Sequence, residues 1–206
     1  MERVVTAITP INTSKSRVFI NDEFAFILYK GELRRFRVTQ GEPLEDAVYE
    51  RICNEVIPQR AKQRMLNLVT ERDRTEYQLR EKLQMGEYPD SVIDEVVKLA
   101  KQHGFINDRR YVENYIYSKK DKKSIREIQM DLRKRGVDPD VIDQMFENQN
   151  IVDEEASVLR ILEKKYLLNE YPDYSTKQKI FAYFARKGYS FDAISSAISK
   201  YLDNKH

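Results

Sequence analysis

The chain has 206 residues, of which 34% are charged, against roughly 25% in an ordinary soluble domain. Its 36 Lys and Arg face 34 Asp and Glu, leaving a net charge of +2, and it carries only six Gly, six Pro, one Cys and two His. These numbers argue against a disulfide framework, a cysteine or histidine metal site and a membrane span of about 20 apolar residues, and Met1-Glu2-Arg3-Val4-Val5-Thr6 opens no signal peptide. They leave a mainly helical protein, expected in the cytoplasm.

The first 40 or so residues differ from the rest. Val4, Val5, Ile8 and Ile11, then Arg17-Val18-Phe19-Ile20, then Phe24 to Tyr29 are β-branched or aromatic runs that predict a small antiparallel sheet. Asn21-Asp22-Glu23 and Lys30-Gly31-Glu32 read as turns between strands, and Leu33 to Val38 as one more strand. Gly41-Glu42-Pro43 then opens a helix with Pro43 near its first turn. Its apolar face is Leu44, Ala47, Val48, Ile52 and Val56, and Pro58 ends or bends it.

Beyond Pro58 the chain repeats. Thr75 is followed by Leu79, Leu83, Tyr88, Ile93 and Val97; Ser124 by Ile128, Leu132, Val137, Ile142 and Phe146; Thr176 by Ile180, Phe184, Tyr189, Ile194 and Ile198. The offsets are 4, 8, 13, 18 and 22 in each run, and the runs start 49 and then 52 residues apart. In each run the Ser or Thr is expected to cap a helix, and the apolar residues to line one face. Gly136 and Gly188 supply the positive φ that ends such a helix. In the first run Gly86 sits one place early and Glu87 takes the matching position, so that helix end is expected to shift by about a residue. A third helix begins near Pro89-Asp90, Asp138-Pro139 and Ser190, and a preceding helix runs over roughly 60–71, 108–120 and 152–167. The fold expected is mainly α. It comprises tandem three-helix-bundle repeats, in three units, elongated and curved, with a small N-terminal β-rich module. The boundaries are 1–58 for that module and 59–106, 107–150 and 151–206 for the repeats.

Charge is segregated along the chain. Arg109 to Gly136 carries ten basic residues against four acids, a net +6; Val137 to Asp173 is −7, and Tyr174 onward is +4. The +6 stretch holds Arg109, Arg110, Lys119, Lys120, Lys122, Lys123, Arg126, Arg133, Lys134 and Arg135. Such a field attracts a phosphate backbone or an acidic protein surface alike. Tyr111, Tyr115 and Tyr117 stand in the same stretch. They are either stacking platforms for bases or, for Tyr111 and Tyr115 four apart, core residues.

Catalytic patterns are missing from the sequence: no Gly-x-x-x-x-Gly-Lys-Ser/Thr loop, no Gly-x-Gly-x-x-Gly and no Gly-x-Ser-x-Gly. His103-Gly104 reads as a helix end, and Cys53 as a buried structural cysteine. The expectation is therefore no enzyme, no cofactor and no metal.

Three segments carry a resemblance. Arg72-Asp73-Arg74-Thr75 runs into Leu79 and Lys82-Leu83. His103-Gly104-Phe105-Ile106-Asn107-Asp108 leads to Tyr111-Val112. Ile128, Leu132 and Arg135-Gly136-Val137 complete the set. Together they resemble the RecX family of bacterial recombination regulators, clearly over residues 60–150 and more loosely beyond, where Asn150-Ile151-Val152-Asp153 echoes the second segment. The N-terminal sheet is similar to an extension carried by some members. The resemblance implies tandem three-helix repeats that bind the RecA filament on single-stranded DNA, in its groove, and inhibit ATP hydrolysis and strand exchange. It implies RecA as the main partner and weak contact with single-stranded or duplex DNA; a monomer with no membrane partner is expected. Leu79, Leu83, Phe105, Leu132 and Gly136 match as core positions and Asp108 as a helix N-cap. Arg72 and Arg74, at a helix junction, are either exposed or paired with Glu71, Asp73 or Glu76, and join the ten cations above as candidate contacts. The competing reading is a helix-turn-helix regulator with Ile125–Arg135 as reading helix, although that helix offers few groups for base edges. Another departure from the pattern is the long loop Asn169 to Ser175 in the third repeat.

Overall fold

The structure is a computed structural model and describes residues 2–147, 152–165 and 173–203. The Asn150-Ile151 part of the echo and residues 169–172 of the long loop lie outside these. The elements are β1 (Val5–Pro10), β2 (Lys15–Ile20), β3 (Glu23–Tyr29), α1 (Lys30–Arg35), α2 (Asp46–Arg51), α3 (Ile57–Glu71), α4 (Glu76–Gln84), α5 (Asp90–Gln102), α6 (Asp108–Lys119), α7 (Ile125–Lys134), α8 (Pro139–Glu147), α9 (Glu154–Lys165), α10 (Tyr174–Arg186) and α11 (Phe191–Asp203). A π-helical segment, Ile52–Val56, lies between α2 and α3. None of the described helices is long and apolar enough to cross a membrane. Contacts divide the chain into two compact units, Met1–Asp73 with Leu79–Ile106, and Arg74–Gln78 with Asn107–His206.

In the first unit the three strands form an antiparallel meander, with Ile8 opposite Val18 and Val18 opposite Phe26. Asn21 and Asp22 take φ of 50° and 70°, the positive values a tight two-residue hairpin turn needs. Alternate side chains, Val18, Ile20, Phe26 and Leu28, are buried against Ile57, Ala61 and Met65 of α3 and Leu79 and Leu83 of α4. The sheet and the first repeat therefore share one core.

Three expectations for this region are corrected. Leu33 to Val38 is not a strand: Lys30–Arg35 is helical, because the Glu32 carboxylate accepts from the Tyr29 N–H at 2.7 Å and closes a capping box. Pro43 does not open a helix but sits in an isolated bridge with Val4, and α2 begins after Glu45. Of the two roles expected for Pro58, ending the helix does not hold, since α3 runs on from Ile57 to Glu71. The Ile57 N–H bonds the carbonyl of Ile52, five residues back, and this wider turn accommodates a proline that has no N–H of its own.

The apolar offsets hold. Twelve of the fifteen positions are buried, and Tyr88, Phe146 and Ile198 pack at the core margin. All three second helices end alike, with the N–H of Tyr88, Val137 or Tyr189 bonding the carbonyl of Leu83, Leu132 or Phe184. The expected one-residue shift shows in the helix itself, since α4 ends at Gln84, one place before the positions that match Lys134 and Arg186, while the closing bond keeps the same register. Glu87 itself adopts φ 54°, matching Gly136 at 73° and Gly188 at 83°. Glycine is needed at 86 for another reason: a Cβ there would lie 2.8 Å from Cε2 of Tyr88. The Glu87 carboxylate is held by Arg17, whose Nε donates at 2.7 Å.

The second unit contains two joints of one build. The Thr75 hydroxyl accepts from the Gln78 N–H at 3.1 Å and donates to the Arg135 carbonyl at 2.7 Å. The Ser124 hydroxyl accepts from the Glu127 N–H at 3.1 Å and donates to the Lys187 carbonyl at 2.6 Å. The next amide also reaches an acid at the start of another helix, Glu76 to Asp108 at 2.9 Å and Ile125 to Glu154 at 3.0 Å. Two positions past each cap, Tyr77 and Arg126 cover Gly136 and Gly188, leaving no room for a Cβ.

This build corrects three more expectations. Asp108 is not the N-cap of α6; Asn107 is, accepting from the Arg110 N–H at 3.0 Å, while Asp108 serves the joint. Thr176 does not cap α10; Asp173 does, accepting from the Thr176 N–H at 2.8 Å. Phe105 is not core but 42% exposed, stacked on His103, and its neighbour Ile106 is buried instead.

Candidate functional site

The second repeat is built on Val112, Ile116, Ile128, Leu132, Val137 and Ile142. These residues bury one face of each of α6, α7 and α8, so the basic residues are left to the helix ends and the connecting loop. Helix α7 has ten residues, about 15 Å at 1.5 Å per residue. Lys119, Lys120, Lys122 and Lys123 precede its N-terminus, whereas Arg133, Lys134 and Arg135 stand at its C-terminus. Arg109 and Arg110 lie at the latter end too, because Arg135 Nη1 donates to the hydroxyl of Tyr111, on the first turn of α6, at 2.9 Å. The ten cations thus form two groups at opposite ends of α7, with Arg126, on its first turn, belonging to the N-terminal one.

Not all of them face solvent. Lys123 pairs with Asp131, which also accepts from the Tyr115 hydroxyl at 2.7 Å. The Lys123 hydrogen bond holds the Asp131 carboxyl below the usual carboxylate range, and Asp131 in turn raises the Lys123 amine. Burial, followed by the bond to Asp131, pushes the Tyr115 hydroxyl up. The Arg135 guanidinium lies 4.8 Å over the Tyr115 ring. Tyr111 and Tyr115 are packed against the core, stacked on one another, so they are not base platforms. Tyr117 is 75% exposed, with Lys120 over its ring at 4.7 Å.

Of the remaining cations, Arg109 pairs loosely with Glu113 at 3.8 Å and Arg133 with Asp143 at 3.6 Å. Arg126 is exposed while its stem covers Gly188. Lys122, Lys134 and Arg110 are exposed, and Lys119 and Lys120 are partly so. Arg72 is exposed in the first unit, whereas Arg74 is only 5% exposed, so of these two junction arginines it is Arg72 that reaches solvent. Sequence reasoning missed Asp131, the acid that ties the loop to the helix. Its signal was its place on α7 one residue before buried Leu132 and four before Arg135. Among the described residues no three His, Cys, Asp or Glu side chains gather as a metal site. Cys53 is partly buried, and burial pushes its thiol up.

Family models for the first, second and third three-helix domains of RecX match residues 61–98, 107–145 and 153–198, and together they account for more than half of the chain. The chain belongs to the RecX family. The regulatory protein RecX of Clostridium perfringens strain 13 is 25% identical over 203 residues, covering 95% of this chain and 93% of the relative. That of Caldanaerobacter subterraneus is 28% identical over 189 residues, covering 91% and 93%. A crystal structure of regulatory protein RecX, 20% identical, superposes with a TM-score of 0.60 over 98% of this chain and 99% of the other, so the fold is shared. The three RecX domains map onto α3–α5, α6–α8 and α9–α11, and the sheet with α1 and α2 precedes the matched regions.

Proposed function

We propose that the chain regulates homologous recombination by docking in the groove of the RecA–single-stranded DNA filament and inhibiting its ATP hydrolysis and strand exchange. The observation that carries this reading is membership of a family of regulatory proteins. The two cationic ends of α7 add an electrostatic handle: Lys119, Lys120 and Lys122 on one side, Arg109, Arg110 and Lys134 on the other. Either meets acidic recombinase surface or DNA phosphate. Lys123 and Arg135 act indirectly, by holding the loop and helix against Asp131, Tyr111 and Tyr115. A regulator bound across neighbouring protomers hinders the subunit motions that accompany turnover.

The test is RecA ATP hydrolysis on single-stranded DNA, titrated with the chain at two salt concentrations. Inhibition is expected below one chain per recombinase monomer, weakening as salt rises. Lys119→Glu/Lys120→Glu/Lys122→Glu, with unchanged circular dichroism, is expected to lose inhibition and its salt sensitivity together. No effect of the folded wild-type chain at any ratio would overturn the proposal; full inhibition by the triple variant would remove the loop from it.

A further inference from the structure

The first unit holds a cleft of about 530 Å³ lined by Lys15 of β2, Tyr29 of β3, Arg60 and Arg64 of α3, Lys82 of α4 and Tyr88. Arg60 is committed within the fold: it donates to the Ile27 carbonyl at 2.9 Å and to Glu32 at 2.6 Å. The other three cations are not. Lys15 lies over the Tyr29 ring at 5.1 Å, and Lys82 Nζ is 3.7 Å from Met85 Sδ. Among the described residues no carboxylate pairs with Lys15, Arg64 or Lys82. Glu32 and Glu87 line adjoining hollows, and each is already held by an arginine. Gln63 and Asn67 add side-chain amides. The cleft is therefore rich in donors, carries a surplus of positive charge, and contains no acid.

We propose that this cleft binds the phosphodiester backbone of a single-stranded nucleic acid. Compact phosphate ligands are usually cradled by free backbone amides. Here the amides of the Gly86–Tyr88 turn are all used to end α4, bonding Leu83, Gln84 and Leu83 in turn. What remains is long cationic side chains from three separate elements on an open surface, the arrangement that tracks a strand. The Tyr29 ring is flanked by Lys15 at 5.1 Å and Arg60 at 4.9 Å, so it does not serve as a base platform, and binding is indifferent to base sequence. Lys15, Tyr29 and Arg60 precede the residues matched by the family models, which begin at 61. The site thus gives the N-terminal module a role, and it does not rest on the surface of the second repeat.

The test is fluorescence anisotropy of labelled oligothymidylate with the full chain across a salt series. Arg64→Glu/Lys82→Glu is expected to weaken binding about tenfold or more and to lower the salt slope by about 1.4, at about 0.7 per phosphate contact on single strands. The control Lys62→Glu/Lys98→Glu makes the same change of charge at exposed positions of α3 and α5 outside the cleft, and is expected to lose far less. An oligomer with uncharged methylphosphonate links is expected not to compete. Equal losses in the two variants, unchanged binding by the cleft variant, or effective competition by the uncharged oligomer would each overturn the proposal. So would competition by ATP or inorganic phosphate as strong as by the oligomer at equal phosphate, since it would make the cleft a pocket for free anions. Circular dichroism checks that each variant is folded, and Arg64→Gln/Lys82→Gln replaces any variant that is not, with the same ordering expected.

Discussion

The Ser124 hydroxyl donates to the carbonyl of Lys187, 63 residues away in sequence, while accepting from the Glu127 N–H three residues on. Thr75 does the same toward Arg135 and Gln78. Both hydroxyl residues are fully buried. One oxygen thereby satisfies an orphan amide of a helix start and an orphan carbonyl of a helix end.

Ser124→Ala removes both bonds. Loss of an N-cap costs about 1 kcal/mol, and the carbonyl left buried adds about 1–3 kcal/mol. The expected destabilisation is therefore about 2–4 kcal/mol in urea unfolding, with Ser124→Thr close to wild type. A loss under about 0.5 kcal/mol for the alanine variant would mean that the joint contributes little.

Gly136→Ala meets two obstacles. Its φ of 73° costs a non-glycine residue about 1–2 kcal/mol, and Tyr77 occupies the space of the new methyl group. Adding Tyr77→Ala is expected to recover the steric part and leave the backbone part. Strict additivity of the two substitutions in denaturant unfolding would show that the ring moves aside freely.

Glu87 offers a pH-dependent case. Its hydrogen bond from Arg17 lowers the pKa of the carboxyl, so the stabilisation it lends is present above the ordinary glutamate value of about 4.3 and is lost as pH falls through the lowered value. Glu87→Gly relieves the positive φ at every pH but gives up the pair only where the pair exists. Its stability relative to wild type should rise on acidification, toward a gain of about 1 kcal/mol. A difference that stays flat from neutral pH to acid would refute this account.

The hydroxyl of Tyr189 is pushed up to about 12 by burial, against a bond to Ser157 at 3.0 Å that acts the other way. The folded state holds this proton more tightly than the unfolded chain, whose tyrosines ionise near 10. The stabilisation is therefore intact below about pH 10 and lost progressively toward pH 12. Thermal unfolding should show a steeper loss over that interval for wild type than for Tyr189→Phe. Parallel curves would place the titrating group elsewhere.

The repeats were legible because burial imposes them: a helix face three to four residues wide leaves its period in the sequence whatever the tertiary detail, and Ile128 and Leu132 could hardly be read otherwise. Positions where two elements compete for one residue were not legible. Asp108 has the right chemistry for a cap, but a long-range amide claims it, and Asn107 beside it has the same chemistry. Leu33 to Val38 suits a strand locally, yet Glu32 closes a cap at Tyr29. Basic side chains were easy to count, but their availability was not, because Lys123 and Arg74 differ from Lys122 and Arg72 only in what packs around them.

The joint also sets the first and third repeats apart from the second. A further repeat ahead of the first would need a vacant glycine end to cover, and position 87 is instead a glutamate locked to Arg17 of the sheet. In the third repeat Thr176 stands where Thr75 and Ser124 stand, but α10 starts two residues before it and is capped instead by the carboxylate of Asp173, which has no hydrogen to give. Neither the helix end at Glu87 nor the helix start at Asp173 repeats the pattern of the two joints described. Three repeats cut to one apolar plan thus differ in the residues that join them, and the departures fall at the outer half-joints of the first and the third.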